Sequence, residues 1–434
     1  MKRATRTLLA ATAALAATTL VAATMTPATA DDHARTAPTK DPRATPFAMR
    51  AQAYGSSVRG GSVPVSSGAT AYQGFGCTNK AGIERTNQLA DVTLPSIGTI
   101  SGLKTHVWTS REGKVVSSWA QNTIGKVVLS DSPLGTLSLD AVSTTARAYH
   151  DGTKFQTYTH TDVAKLSFKG PIGPAQTFPV PAPGKPVTIP GVARLAVGTS
   201  WTPKTVNGAR AFADGIKIRL LPTNTVVRVA HAIAQIGQLQ SGIFSGSSYA
   251  VSGTAAGDIV NLGRNPLLQM QCQGTAGEVK TRQLAAIDLG GQAEITGARS
   301  EQMAKQTSTR AAGFERSRVA SIRLGDQLRI EGIVGQANVR RDGPGLKTLT
   351  TSTTGTTVGA IYVNGQIQKF PETGVLEIPG VAKIESKVVE RLRFGIGVTA
   401  LRITVLDGTG AVINLGNAQF QVKPIPVPKK KATR

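Results

Sequence analysis

The stretch Cys77-Thr-Asn-Lys-Ala-Gly-Ile-Glu-Arg-Thr-Asn-Gln-Leu-Ala-Asp-Val-Thr-Leu94 decides how the chain is read, because it occurs twice. The second copy is Cys272-Gln-Gly-Thr-Ala-Gly-Glu-Val-Lys-Thr-Arg-Gln-Leu-Ala-Ala-Ile-Asp-Leu289. Eight of the eighteen positions are identical, among them Cys77/Cys272, Gly82/Gly277, Gln88/Gln283 and Leu94/Leu289. Chance would give roughly one, so the chain reads as an internal duplication. Further matches keep the same order. Tyr54 corresponds to Tyr249 and Asp151-Gly152 to Asp342-Gly343, while Ile189-Pro-Gly-Val-Ala193 returns as Ile378-Pro-Gly-Val-Ala382. The offset only shrinks along the chain, which places small deletions in loops of the second copy. The copies are placed at 52–240 and 247–422.

Within each copy the chain is a series of short apolar runs separated by turn residues. Residues 99–108, 115–120, 126–129, 136–142, 165–168 and 216–221 read as strands in the first copy. Residues 319–324, 327–333, 358–363, 374–378, 401–406 and 410–415 do so in the second. Ile216-Lys-Ile218-Arg-Leu220 and Leu401-Arg-Ile403-Thr-Val405 alternate apolar with polar, the period of a half-buried strand. Asn364-Gly365 favours a type I′ hairpin turn. Helix candidates are confined to 226–239 and 299–306, and the first matches a Gly- and Asn-rich stretch of the second copy, so it reads as a strand. The expected fold is all-β: two homologous repeats, each β-sandwich-like, or one extended β structure formed by both. About 190 residues per copy is enough for a sizeable core. The segment 171–190 holds seven prolines, which excludes a central strand and suggests a surface loop.

Outside the repeats the chain carries an address. Lys2, Arg3 and Arg6 precede an uncharged apolar run over 8–23, and Ala28-Thr29-Ala30 is a small-x-small site before Asp31. Residues 1–30 therefore read as a secretory signal peptide cleaved between Ala30 and Asp31. No transmembrane segment is expected in the mature chain. Residues 31–51, polar and carrying Pro38, Pro42 and Pro46, read as a disordered spacer. Export permits a disulfide, and only Cys77 and Cys272 are available. Two cysteines at equivalent repeat positions can meet near a pseudo-two-fold axis between the copies, and that bond is expected; the alternative is two buried free thiols, one per core. Closing so long a loop is worth about 4–5 kcal/mol on a chain-entropy argument.

The formal net charge is +24, of which the leader supplies three. The remainder is spread over both copies and the 423–434 tail, which ends in Lys429, Lys430, Lys431 and Arg434. An exported chain this basic is attracted to polyanions. The candidate partners are anionic cell-wall polymers or polysaccharide, and the candidate contacts are Lys429, Lys430, Lys431, Arg340 and Arg341. Specific nucleic-acid binding is not expected, since only 5% of residues are aromatic and no basic and stacking residues interleave.

Catalytic signatures are missing. There is no Gly-x-Ser-x-Gly, no His-Glu-x-x-His, no Cys-x-x-Cys and no phosphate-cradling Gly-rich loop with lysine. Gly395-Ile-Gly397-Val-Thr-Ala400 touches the dinucleotide pattern but reads as strand glycines. None of His33, His106, His150, His160 and His231 recurs at a matched position of the other copy. His160 near Asp162, and His150 with His160 as a metal pair, read as surface polar residues. No catalytic residue, cofactor or metal is assigned.

With the leader, Ala53-Tyr54-Gly55, Gly76-Cys77-Thr78-Asn79 and the doubled β pattern in view, the chain resembles the choice-of-anchor P family, exported proteins of high-GC Gram-positive bacteria whose function is not established. The resemblance implies a surface or secreted role and no catalytic residues. A Leu-Pro-x-Thr-Gly sorting signal is missing; Leu94-Pro95-Ser96-Ile97-Gly98 is internal and lacks the pattern. Retention by charge or free release is thus expected rather than covalent or membrane anchoring. The leading expectation is a secreted or cell-surface-associated, non-enzymatic β protein held at the wall by charge. The alternatives are an extracellular carbohydrate-active or other hydrolytic enzyme, and a self-assembling surface or matrix component.

Overall fold

Side chains that alternate between buried and exposed, as in Leu137 to Ala148 where every inward residue is buried, fold the chain into long antiparallel strands. The computed structural model describes residues 42–425 apart from 60–68, 95–97, 133–134, 223, 256–259, 289–292, 372–373, 407 and 409. The leader, the Ala30/Asp31 junction and Lys429, Lys430 and Lys431 lie outside the described residues. No α-helix occurs among the described residues, and none is long and apolar enough to cross a membrane.

The first half opens with the antiparallel pair β1 (Arg43–Arg59) and β2 (Gln73–Ala81). A meander follows: β3 (Glu84–Leu94), β4 (Gly98–Glu112), β5 (Val115–Ser132), β6 (Gly135–His150), β7 (Phe155–Lys169) and the short β8 (Gln176–Phe178). The chain then crosses back with β9 (Val187–Ile189), β10 (Ala193–Trp201), β11 (Lys204–Thr205), β12 (Gly208–Leu220) and β13 (Val226–Gln238). Sheet I has the order β2-β1-β13-β12-β10-β9, with β11 on β12, and sheet II runs β3 to β8 in sequence. Strand β13 packs on β5 and β6, and β12 on β6 and β7, so the two sheets form a sandwich.

The second half repeats this plan. Its strands are β14 (Gly242–Ala255), β15 (Val260–Asn265) and β16 (Leu268–Gln269), then β17 (Lys280–Asp288), β18 (Ala293–Gln306), β19 (Arg310–Leu324) and β20 (Leu328–Asp342). They continue through β21 (Thr348–Ser352), β22 (Ile361–Val363), β23 (Gln366–Gln368), β24 (Val375–Ile378), β25 (Ala382–Leu392), β26 (Gly395–Val405) and β27 (Val412–Pro424). Sheet III is β15-β14-β27-β26-β25-β24 with β16 on β14, and sheet IV is β17-β18-β19-β20-β22-β23 with β21 on β20. The single strand β7 is thus represented by the broken pair β21 and β22.

Every sheet is crossed by a line of residues, small except for Lys387, at which the pairing skips. In sheet I the ladder passes from Tyr54↔His231 to Ser56↔Val229, and from Asp214↔His231 to Ile216↔Val229. Gly55, Ala230 and Gly215 are left side by side. In sheet III the skipped residues are Ala250, Gly416, Ala400 and Lys387. Alternate strands carry the left-handed residue: Ala230 at φ 53 and Gly198 at φ 61 in sheet I, Gly102 at φ 64 and Ala141 at φ 49 in sheet II. In sheet III these are Gly416 at φ 65 and Lys387 at φ 52, and in sheet IV Gly297 at φ 60 and Gly332 at φ 65. A left-handed residue shifts the side-chain alternation by one, so inward positions in β13 run Val227, Val229, then Ala232, Ala234 and Ile236.

The line divides each sandwich core in two. On one side of the first half lie Ile100, Leu103, Val127, Leu139, Leu195 and Ile216; on the other lie Phe47, Met49, Phe75, Val107, Val116 and Ile236. The small residues are required because the two sheets approach closely there. A Cβ on Gly215 would overlap the Thr144 hydroxyl, and in the second half a Cβ on Gly335, which stands where the first half has Thr144, would overlap the Gly416 carbonyl.

Three expectations need correction. Residues 43–51 are not spacer but the start of β1, with Phe47, Met49 and Ala51 buried. They look polar because Arg43, Arg50 and Gln52 occupy other positions of an alternating strand. Pro46, which lacks an N–H, sits where β1 departs from its pairing with β2. The stretch 299–306 is strand β18, not helix. The proline-rich segment carries β8 and β9, both at sheet edges, where a missing donor is tolerated.

Candidate functional site

Cys77 and Cys272 are bonded, with Cα atoms 5.4 Å apart, and tie strand β2 of the first half to the segment after β16 in the second. Around the bond, Arg50 donates from Nη1 to the Met270 carbonyl at 3.3 Å and from Nη2 to Gln269 Oε1. Burial pulls the Arg50 guanidinium down to about 10, with the charge of Arg210 adding to this and Tyr72 and Glu315 opposing it. Glu315, on β19, is fully buried and accepts from Ser248 Oγ at 2.8 Å. Burial drives its carboxyl well above the usual carboxylate range, against the smaller effects of Ser248 and Arg50. Its Oε1 has no partner, nor does Oε1 of Gln302, the residue directly opposite on β18.

The outer faces of sheets II and IV occupy equivalent places but differ in chemistry. On sheet II a cross-strand row runs Glu84↔Trp108↔Trp119↔Arg147↔Tyr158. His106 stacks on Trp108 at 4.3 Å and Trp108 on Trp119 at 5.1 Å. The Arg147 guanidinium lies 4.4 Å from the Trp119 ring centre and 4.1 Å from that of Tyr149. Its Nε and Nη2 donate to Ser117 Oγ, and burial lowers its pKa. These flat groups spend their faces on one another, which braces the meander and leaves little ring face for a ligand.

In sheet IV the matching positions are Met303, Phe314 and Asn338, and beside them lies an arginine cluster. Glu301, nearly buried, receives Arg299 Nη2 at 2.7 Å, Arg316 Nε at 2.7 Å and Arg318 Nε at 3.2 Å. Burial acts to raise the Glu301 pKa, but the Arg316 hydrogen bond and the three guanidinium charges outweigh it and hold the carboxyl below its ordinary range. One carboxylate among three arginines leaves the patch cationic, and Arg299 and Arg318 are each 46% exposed.

On the outer face of sheet I, His231 and Asp214 form a buried pair with Nδ1 to Oδ1 at 2.6 Å. Tyr54 stacks on the imidazole at 4.3 Å and Phe212 meets it edge-on. Burial lowers the His231 pKa, against the opposing effect of Asp214. A shallow recess lies next to this pair, lined by Ser57, Lys217, Val226 and Arg228.

The candidate contacts named from sequence separate. Arg340 is exposed and pairs with Asp342 at 2.5 Å. Arg341 is buried: it donates from Nε to the Val422 carbonyl at 2.7 Å and from Nη1 to the Leu346 carbonyl at 2.9 Å, and burial lowers its pKa. It is a structural cation that ties β20 to β27, not a surface contact. His160 meets exposed Asp162 at 2.7 Å, and His150 packs on Phe47 and Phe155. The arginine cluster and the Asp214–His231 pair were not singled out in the sequence. The signal for the first was in the chain, since Arg316-Ser-Arg318 is a polar alternation on a strand and Arg299 falls two residues before Glu301. Nothing local marks the second, whose partners are distant in sequence. Among the described residues no group of three His, Cys, Asp or Glu could hold a metal ion.

No family model matches the chain, and no curated protein matches it. Among solved structures, a transferrin binding protein B double mutant from Haemophilus parasuis Hp5 aligns with 88% of this chain and 77% of its own, at 8% identity and a TM-score of 0.10. So low a score carries no argument about fold or role.

Proposed function

We propose that the protein is an exported, non-enzymatic β protein that binds anionic polymers at the cell wall and is retained there by charge. The observation that carries this reading is the cluster on sheet IV, where Arg299, Arg316 and Arg318 converge on the single carboxylate of Glu301. Glu301 fixes the arginines in place, and their surplus charge faces outward on a rigid sheet rather than on a loose tail. Arginine held in this way suits phosphate and carboxylate recognition by geometry as well as charge. The formal charge of +24, less the three charges of the leader, supplies a long-range attraction to the same partners. The closed Cys77–Cys272 bond suits an oxidising compartment outside the cell.

The test is elution from an immobilised polyphosphate column by a salt gradient. Changing Arg299, Arg318 and Arg340 to Gln together should bring the mature protein off at clearly lower salt, with unaltered folding by circular dichroism. Elution at the same salt as the unmodified protein would remove sheet IV from the account.

A further inference from the structure

The duplication provides an internal control for the outer face of sheet I. In the first half the cross-strand neighbours are Ser57↔Arg228↔Lys217↔Ala196, and in the next row Val226↔Arg219↔Arg194↔Thr188. Four cations, Arg228, Lys217, Arg219 and Arg194, therefore sit on adjacent positions of three strands. Like charges directly opposite each other on neighbouring strands destabilise a sheet. Among the described residues Lys217, Arg219 and Arg194 form no ion pair. Arg228 Nε approaches Asp214 Oδ2 only at 3.8 Å, while the other Asp214 oxygen is held by His231. That buried Nε has no hydrogen-bond partner.

The second half solves the same positions differently. The matching rows are Ser252↔Asn414↔Arg402↔Glu385 and Val412↔Thr404↔Lys383↔Glu377. Asn414 stands where the first half has Arg228 and accepts from Arg402 Nε at 3.2 Å. Thr404 stands where the first half has Arg219. Glu385 and Glu377 stand where the first half has Ala196 and Thr188. The second half thus has two cations flanked by two acids, and the first has four cations and no acid on the same backbone. The recess lined by Ser57, Lys217, Val226 and Arg228 opens among those cations.

We propose that this recess is an oxyanion site that takes a phosphate group, with Arg228 and Lys217 as the charge donors, Ser57 as a hydroxyl donor, and Arg219 and Arg194 extending the field along the strand. The missing counter-charge comes from the ligand instead of from Glu residues. The proposal deepens the polyanion-binding reading and rests on it for the source of the phosphate, which is a phosphodiester of a wall polymer rather than a free monoester.

The probes are inorganic phosphate and a glycerol-phosphate oligomer, each titrated into the mature protein by calorimetry at fixed ionic strength set with chloride. Saturable binding of the oligomer is expected. Ala196→Glu, which imports the acid of the second half, and Lys217→Ala should each weaken it at least tenfold. Arg402→Ala, at the matching place in the second half, should leave it unchanged. Each variant is first shown to melt like the unmodified protein in chloride. Equal binding by all variants, or no binding by the unmodified protein, overturns the site. Binding of inorganic phosphate alone overturns the polymer as its source. Loss of oligomer binding in Lys217→Ala with polyphosphate-column retention intact separates this site from the sheet IV reading, whereas unchanged column elution of the Arg299, Arg318 and Arg340 variant, with oligomer binding kept, removes sheet IV and leaves the site standing.

Discussion

His231 donates from Nδ1 to Asp214 at 2.6 Å, in a part of sheet I where both side chains are 4% exposed. The second half places Asn417 and Thr399 at the same two positions, with Thr399 Oγ1 hydrogen-bonded to Asn417 Oδ1 at 2.9 Å. One copy therefore fills the site with an ionisable pair and the other with a neutral one.

That difference fixes a pH dependence. The folded-state pKa of His231 is lowered, chiefly by burial, so the folded protein binds a proton less readily than the unfolded chain. The associated stability is present above the ordinary histidine value of about 6.5 and is lost as pH falls below it. Thermal melts between pH 7.5 and 5.5 should show this slope. The double change Asp214→Thr and His231→Asn, which installs the neutral pair, should flatten it. Asp214→Ala alone strands the imidazole N–H and should lower stability by about 1–3 kcal/mol at pH 7.

Glu315 has the opposite sign. Its folded-state pKa is raised by burial, so its contribution is fully present below the unfolded value of about 4.3 and is lost as pH rises through the folded value. A proton on Glu315 also gives the Glu315 and Gln302 oxygens, both without partners, a donor to share. Glu315→Gln supplies that donor permanently. It should raise the melting temperature at pH 8 and leave it nearly unchanged at pH 4; a variant less stable than the parent at pH 8 would contradict this.

Replacing both Cys77 and Cys272 with Ser should reduce the denaturant midpoint by the equivalent of about 4–5 kcal/mol, because the bond closes a loop across 195 positions. The sandwiches should remain folded, since each has its own core. Near-ultraviolet circular dichroism would check that, and loss of the native spectrum without denaturant would refute it.

Two glycines separate crowding from backbone strain. Gly335→Ala places a methyl in the Gly416 carbonyl where the sheets touch, and should be destabilising by about 1–3 kcal/mol or more. Gly113 has φ 58 but open space beyond its Cα, so Gly113→Ala should lose only about 1 kcal/mol, from conformation alone. Equal losses in chemical denaturation would mean that the sheets are not packed closely at Gly335.

The duplication and the all-β fold were legible because identities such as Cys77/Cys272 and alternations such as Ile216-Lys-Ile218 are local properties of the chain. The phase slips were not. Val226–Gln238 looked partly helical because Ala230, in the left-handed region, moves the inward positions from 229 to 232 and breaks the strict period of two. The local pattern marks a strand only to residue 333, so nothing in it separates Arg340 from Arg341; because β20 runs on to Asp342, the two face opposite sides. The cationic rows of sheet I have no local signature, because Arg194, Lys217, Arg219 and Arg228 meet only through register.

The most direct measurement is co-sedimentation of the mature protein with cell walls at low and high salt, before and after the anionic polymers are stripped from them. The account predicts binding at low salt that weakens steeply as salt screens the charges and disappears with the polymers. Binding that survives both high salt and stripping would contradict retention by charge and point to a specific receptor in the remaining wall.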